Sequence, residues 1–426
     1  MAQSSRFSRS VQRLAHSDRA SGIIMVAFAL AGLLLANMPF SASIYRRISD
    51  YSLGIPGTNL ILEISHWAQD GLLTIFFLVV GLELKQELST GSLSKPKAAA
   101  VPMLAAVGGM LVPPVIFLAT VGAGYKCNLL HGLDFSQAAT GWSVPTATDI
   151  AFSLAILAIF AQALPGSIRA FLMTLATVDD LLGIIVIAVF YSSLNAWYWF
   201  LGIVVMALFW SFLVRRAKVP WLLVALVGIL TWIMMFESGV HPTLAGVLAG
   251  LLTPARPLHG ESSPRAERYH DKLQPFSSLL ALPVFAFFAT GISLADSGGV
   301  NFFLSPIVLG LILALVIGKP LGVLTATWVT THLLGMKLAP GLKVRTLLPM
   351  SASCGIGFTV AFLIASLAYK HPLLQNEARM GVLLGSVLSA CLAAVLLHRQ
   401  SNQYKRLSVE ERDRWDASDL EFNRED

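Results

Sequence analysis

The sequence predicts an all-α polytopic membrane protein of about twelve transmembrane helices, at about 20 apolar residues per crossing. Three observations carry that prediction. Hydrophobic residues make up 55% of the 426 and charged residues 13%, whereas a soluble domain carries about 25% charged residues. Apolar runs of spanning length recur from end to end, and mean hydropathy is +0.70. Lys and Arg gather at the ends of those runs. Of the 30, the segments assigned to the inside hold 24, the outer loops hold five, and Lys319 lies within a span. That asymmetry is the positive-inside signature, and it puts both termini in the cytoplasm with an even number of helices. A pI near 9.3 would suggest nucleic acid in a soluble protein. Here it reports topology, and no nucleic acid is expected.

Residues 1–20 form a polar cytoplasmic tail with Arg6, Arg9, Arg13 and Arg19. The apolar run from Gly22 to Met38 reads as an uncleaved first span rather than a signal peptide, because it is long enough to cross and everything downstream is membranous. Residues 41–62 are mixed, with Tyr45, Arg46, Arg47, Asp50 and a turn at Gly54-Ile55-Pro56-Gly57, and read as an external loop or hairpin. Further spans fall at 64–88, 98–122, 138–160, 167–191, 197–214, 219–235, 240–253, 274–294, 303–331, 346–369 and 379–398. Trp197, Trp199 and Trp210 mark the two ends of the sixth span as interfacial belts. Gly246-xxx-Gly250 and Ala245-xxx-Ala249 are small faces for close helix contact. The chain reads as one membrane domain, 21–398, followed by a charged cytoplasmic tail, 399–426. Cys127, Cys354 and Cys391 lack CxxC or metal-ligand spacing and read as unpaired structural thiols. No cofactor is expected.

Two spans are interrupted. One passes through Gly141, Pro145 and Thr146-Ala147-Thr148-Asp149, the other through Ser351-Ala352-Ser353-Cys354-Gly355-Ile356-Gly357-Phe358-Thr359. Glycine, proline and hydroxyl residues at membrane depth let a helix open where backbone lines a cavity. If spans 3–5 and 10–12 are repeats, each interruption sits in the middle helix of its repeat, the sequence pointer to a midplane site. Asp149, Asp179 and Asp180 lie in segments otherwise fit only for hydrocarbon. A carboxylate at the bilayer centre costs about 2.5–3.5 kcal/mol on insertion scales, so these must face protein or water and have partners. An ion or proton pathway is the first reading; buried ion pairs that only fix helix packing are the alternative. Asp179 and Asp180 are neighbours on a helix, so their side chains diverge by roughly 100°. Two close carboxylates resist double ionisation and titrate as a unit. Na+ and Li+ are hard cations that prefer such oxygens, as Ca2+ and Mg2+ do. A cation or protons can then satisfy the same oxygens, which is the competition antiport requires.

The runs GWSVPTATDIAFSLAILA, FLMTLATVDDLLGIIVIAVFY, SGVHPTLAGV, GKPLG and CGIGFT, with DGLLTIFFLVVGLELKQEL before them, resemble the NhaA family of bacterial sodium/proton antiporters. They cover about Asp70 to Ala368 in family order. The family is itself a type case of the inverted-repeat rule, so the repeat reading and the resemblance are one argument. The resemblance implies two broken helices crossing near the midplane and a Na+ or Li+ exporter driven by H+, electrogenic and pH-regulated, in the bacterial inner membrane. Asp179 and Asp180 would carry cation and protons, Thr148 and Asp149 would complete or compensate the site, and Lys319 would be the counter-charge or a proton carrier. Asp70, near the start of the second span, reads as lining a funnel or as a solvated cap. Glu83 and Glu87, one turn apart beside Lys85, read as an interfacial charged turn. The resemblance links Glu83 and Glu87, with Arg268 and His270, to pH sensing. His270 stands where a glutamate is common, and because histidine ordinarily titrates near neutrality a pH response would persist but shift. His241 reads as a packing or capping residue. A homodimer is implied, through the 41–62 loop. The nearest rival is a sodium-coupled symporter of a small organic anion on a similar fold; SASCGIGFT offers little besides hydroxyls for such a substrate. An intramembrane aspartyl protease would show YD and GxGD where this chain has TDI and VDDL, so an enzyme is not expected.

Overall fold

The computed structural model describes residues 18–54, 56–57, 59–130, 134–192, 197–293, 300–339 and 342–407. Arg6, Arg9 and Arg13 of the N-terminal tail and the charged tail beyond Leu407 lie outside the described residues. Among these residues, eight helices are long and apolar enough to cross a membrane, or ten structures if each of two bent pairs is one span.

In chain order the elements begin with α1 (Asp18–Asn37) and α2 (Ala42–Ser49). A hairpin of β1 (Ser52–Gly54) and β2 (Ile61–Glu63) follows, antiparallel with Leu53 opposite Leu62. Then come α3 (Ile64–Ser89) and α4 (Pro96–Lys126). The first bent pair is α5 (Phe135–Thr146) with α6 (Ile150–Phe160), turned by 49°. After it run α7 (Gly166–Phe190), α8 (Trp197–Leu213), α9 (Trp221–Ser238) and α10 (Leu244–Leu252). Next are α11 (Arg265–Ala289) and α12 (Pro306–His332). The second bent pair is α13 (Val344–Ser353) with α14 (Phe358–Ala368), turned by 61°, and α15 (Pro372–Arg406) closes the series.

Three boundaries differ from the sequence reading. The expected span at 240–253 is only α10, nine residues, roughly 14 Å long at 1.5 Å per residue and too short to cross alone. Pro242 before it and Pro254 after it hold it to that length. The stretch 41–62 keeps the expected hairpin and differs only in the helix α2 ahead of it, the hairpin being tied down by Ile64 N–H donating to Tyr51 O. The last helix does not stop at 398: it continues to Arg406, and Gln400 Nε2 donates to Thr346 O at 2.9 Å. Residues 399–406 of the expected tail are thus helix.

The chain divides into two compact units, one of residues 1–94 and 184–293, the other of 95–183 and 294–426. In the first unit, α3 packs on α10 with backbones touching: a Cβ at Gly81 or Gly250 would strike the facing chain. The small face read at Gly246 and Gly250 is the reason that approach is possible. The second unit joins the two stretches expected as repeats. There α4 and α12 meet through Gly108 and Gly322, where a Cβ on either would hit the other's carbonyl. Pro320 lacks the N–H that would close the turn before it, and Ala314–Gly318 opens into a wide π turn immediately ahead of Lys319. A second wide turn, Trp67–Leu72 in α3, carries Asp70.

A candidate cation site at the crossed helix breaks

In the second unit the two breaks meet. After Thr146 the chain does not continue α5: it becomes extended at Ala147 and Asp149 before α6 begins. Opposite, α13 ends at Ser353 and α14 begins at Phe358, with Gly355 and Gly357 in the gap. The gap exists because both glycines are pressed against neighbours. A Cβ on Gly355 would strike Leu315 O and the Ser389 hydroxyl.

Freed backbone groups must find partners in a membrane core, and the two breaks supply them to each other. Asp149 N–H donates to Ile356 O at 2.6 Å. Thr148 Oγ1 donates to Cys354 O at 2.9 Å, and Ser153 Oγ to Ser353 O at 2.8 Å. The first break and the start of α6 are therefore stitched to the free carbonyls at the end of α13 and in the gap after it.

Asp149 serves both helix starts. Its Oδ1 accepts from Phe152 N–H at 3.1 Å, capping α6, and its Oδ2 accepts from Thr359 N–H at 3.2 Å and Thr359 Oγ1 at 2.8 Å, on α14. A helix N-terminus carries about half a positive charge, so one carboxylate answers two of them. At α14 the Ser386 hydroxyl of α15 adds the remaining acceptor, for Gly357 N–H at 3.2 Å and Phe358 N–H at 3.3 Å. Ser386 and Thr359 were not singled out from the sequence as site residues. A hydroxyl next to a glycine in the last span, Gly385-Ser386, was the available signal.

Lys319 answers the opposite end. Its ammonium donates to Thr146 O, at the carboxyl end of α5, and to both oxygens of Asp179, at 3.0 and 2.8 Å. Each side chain is 1% exposed, so this is a sealed ion pair. Asp180, one residue on, is half-buried. Asp149, Thr148, Asp179, Asp180 and Lys319 thus fall in one unit, and within it the hydrogen bonds link Lys319 to Asp179 and to the break that holds Thr148 and Asp149.

The other expected residues sit in the first unit. Asp70 is buried; its backbone carbonyl accepts from Trp232 Nε1 at 3.0 Å and Thr74 Oγ1 at 2.5 Å. Its Oδ1 lies 3.6 Å from His241 Nε2 and has no hydrogen-bond partner. His241 is otherwise held by Thr243, Nδ1 to Oγ1 at 2.6 Å, which fits the packing role read for it. Glu83 is half-buried, and Glu87 accepts from the Ser92 N–H and hydroxyl, each at 2.8 Å, closing the turn after α3. Arg268 lies 3.5 Å from Glu261, and His270 lies 3.3 Å from Asp271.

Beside Arg268 is a residue whose role the sequence hid. Arg265 is fully buried, clamps Glu261 through Nε and Nη2, and donates Nη1 to Val214 O at 2.6 Å and Arg216 O at 2.7 Å. It closes the carboxyl end of α8. The Arg265 guanidinium also holds the Glu261 carboxyl below its ordinary range. The signal was Glu261 four residues before it.

Comparison with known proteins identifies the family. The Na+/H+ antiporter 1 family model matches residues 12–397. The Na+/H+ antiporter NhaA of Bifidobacterium adolescentis is 62% identical over 403 residues, 93% of this chain and 88% of that protein. The one from Bifidobacterium longum is 62% identical over 407 residues, 93% and 86% of the two chains. The one from Mycolicibacterium smegmatis is 43% identical over 413 residues, 96% and 92%.

Proposed function

The chain belongs to the Na+/H+ antiporter 1 family and exchanges Na+ for H+, and we propose that the exchange runs through Asp179 and Asp180 with Lys319 as the resident counter-charge. The observation that carries this reading is the sealed pair of Lys319 with Asp179. With both oxygens of Asp179 held by an ammonium, a cation enters only by replacing it. The replacement moves protons: Lys319 gives up its proton or leaves the carboxylate, and a proton shared with Asp180 is released as the cation draws on both acids. Two groups able to lose a proton for one Na+ make the cycle electrogenic, with more than one H+ per cation. Li+, as hard and smaller, enters by the same competition.

Asp149 has a different task. Its two oxygens already accept from Phe152 and Thr359, so it offsets the two helix starts while Lys319 offsets the carboxyl end of α5, and neither charge is left bare in the membrane. Thr148 orients the break through Cys354 O and is the hydroxyl nearest in sequence to the cation path. Twelve membrane passages follow if α8, and α10 lengthened by the turns that flank it, are counted with the ten longer structures. Spans 3–5 and 10–12 then form inverted repeats whose crossed breaks rock between the two sides. The basic helix ends put both termini in the cytoplasm of a bacterial inner membrane. Asp70 belongs to the approach to the site, Glu83, Glu87, Arg268 and His270 to its pH control, and the β1–β2 hairpin is the surface for a homodimer. The organic-anion symporter is not supported.

The test is Na+-induced proton movement in proteoliposomes across pH 6 to 9. Wild type should move protons on Na+ addition, and Asp179→Asn and Asp180→Asn should not. Normal exchange in both variants would overturn the assignment.

A further inference from the structure

One end of the second unit carries positive charge that nothing nearby offsets. Lys337 follows α12, where the chain is turned back by Met336 N–H donating to Thr330 O at 3.2 Å. The end of α12 packs on the first turn of α13, where Lys343 and Arg345 stand. The Gln400–Thr346 hydrogen bond ties that turn to α15 and brings Arg399 and Arg406 to the same end. These five side chains are exposed, and none makes an ion pair among the described residues. No Asp or Glu occurs in residues 331–350 or 391–407.

Membrane topology accounts for basic residues at such a place, but Asp and Glu have little part in setting it. Topology therefore does not explain the stretch that follows. Residues 408–426, outside the described residues, hold eight of the chain's 24 acids against three arginines. A third of the acids fall in less than a twentieth of the length. That stretch is joined to α15 at Leu407, seven residues beyond Gln400 and so about 10 Å further along the helix. Nineteen residues can reach at most about 65 Å, far more than the basic end requires. A segment tethered this close meets its target at an effective concentration of about millimolar. Exposed ion pairs that contribute little singly can then act together.

We propose that the acidic segment 408–426 docks on the basic end of its own second unit, against Lys337, Lys343 and Arg345, and restrains the second broken helix until salt screens the contact. From the turn that carries Lys343 and Arg345, α13 runs to the Ser353 and Cys354 carbonyls, which accept from Ser153 and Thr148 at the crossing. A docked segment thus bears on one half of the crossed breaks. The screening length falls from about 30 Å at 0.01 M salt to about 3 Å at 1 M, so the restraint is strong when salt is scarce and released as salt accumulates. For a protein that exports Na+, that sign matches activity to load. The effect on transport rests on the reading of the crossing as the exchange site; the docking itself does not.

The experiment is carbodiimide cross-linking of the full chain in phosphatidylcholine liposomes, which joins a carboxylate directly to a lysine amine, with the links mapped by mass spectrometry. Mixing isotope-labelled with unlabelled protein separates links within one copy from links between copies. At about 0.01 M potassium chloride, Lys337 and Lys343 should link to acids of 408–426 within one copy, and at about 1 M the yield should fall several-fold. Lys343→Glu with Arg345→Glu should cut the Lys337 links at low salt. The full chain carrying Glu410→Gln, Glu411→Gln, Asp413→Asn and Asp416→Asn should show at low salt the Na+-driven proton movement that wild type reaches only at high salt. Absence of the links at low salt would overturn the proposal, as would a yield indifferent to salt or links only between copies. Links lost when phosphatidylglycerol is added would give the basic end to the leaflet and overturn it as well. Equal low-salt transport by wild type and the amide variant would overturn the restraint. The links are read without transport, so they stand or fall apart from the assignment of the exchange site.

Discussion

Removing either partner of the Lys319–Asp179 pair strands a charge in the interior of the second unit. Both side chains are 1% exposed, and the ammonium makes three contacts, to the two Asp179 oxygens and to Thr146 O. Breaking such a pair from one side costs about 3–5 kcal/mol. Lys319→Gln and Asp179→Asn should each destabilise by that amount, while the double variant, with no buried charge at this point, should lose less than the two added together. A coupling of about 1–3 kcal/mol is expected for groups in direct contact. The assay is reversible denaturant unfolding of the detergent-solubilised protein, followed as a double-mutant cycle. Adding Na+ extends it: in Lys319→Gln the Asp179 carboxylate is released for a cation, so Na+ should raise the stability of that variant by mass action more than it raises wild type. Additivity within about 0.5 kcal/mol, or no extra Na+ stabilisation in Lys319→Gln, would refute the reasoning that ammonium and cation compete for one carboxylate.

Asp149→Ala removes the acceptors of two helix starts; at about 0.5–2 kcal/mol per cap, it should cost about 1–4 kcal/mol by the same unfolding assay, and Asp149→Asn less, because one acceptor survives. Glu261 is held below its ordinary value of 4.5 by Arg265. A carboxylate with a lowered folded value contributes stability that is complete above the ordinary value and lost as pH falls through the folded one. Unfolding measured from pH 7 down to 3 should therefore show wild type losing, below the ordinary value of 4.5, a contribution that Glu261→Gln never has. Gly322→Val would drive a side chain into the Gly108 carbonyl. Overpacking of this kind typically costs about 1–3 kcal/mol, and because α12 carries Lys319, Na+-driven proton movement should fall in Gly322→Val while Gly166→Ala, in open space and without a positive φ, changes it little.

Much of this was legible in the chain. The apolar runs placed α1, α3, α4, α7, α9, α11, α12 and α15 because a membrane leaves a helix few alternatives. The breaks at Thr146–Asp149 and Cys354–Gly357 were marked by residues that let a helix open. Acids stood out because hydrocarbon tolerates so few. Other parts were not legible for physical reasons. Hydropathy cannot tell nine apolar residues that cross from nine that stop, and only Pro242 and Pro254 shortened α10. A carboxylate in sequence does not say whether its oxygens are spent; Asp149's are, on Phe152 and Thr359, a residue 210 positions away. Arg265 was counted among basic helix ends, yet it is wholly buried because the free carbonyls of Val214 and Arg216 lie within its reach. Partners that distant in sequence leave no periodicity to read.

The central claim, that cation and protons compete for the Asp179–Asp180–Lys319 cluster, is tested most directly by titration calorimetry of Na+ into the purified protein. Repeating the titration in buffers of different ionisation enthalpy counts the protons released per cation. The account predicts proton release, an affinity that rises with pH, and loss of the binding heat in Asp179→Asn. Binding of Na+ without proton release, at an affinity that does not change with pH, would contradict it.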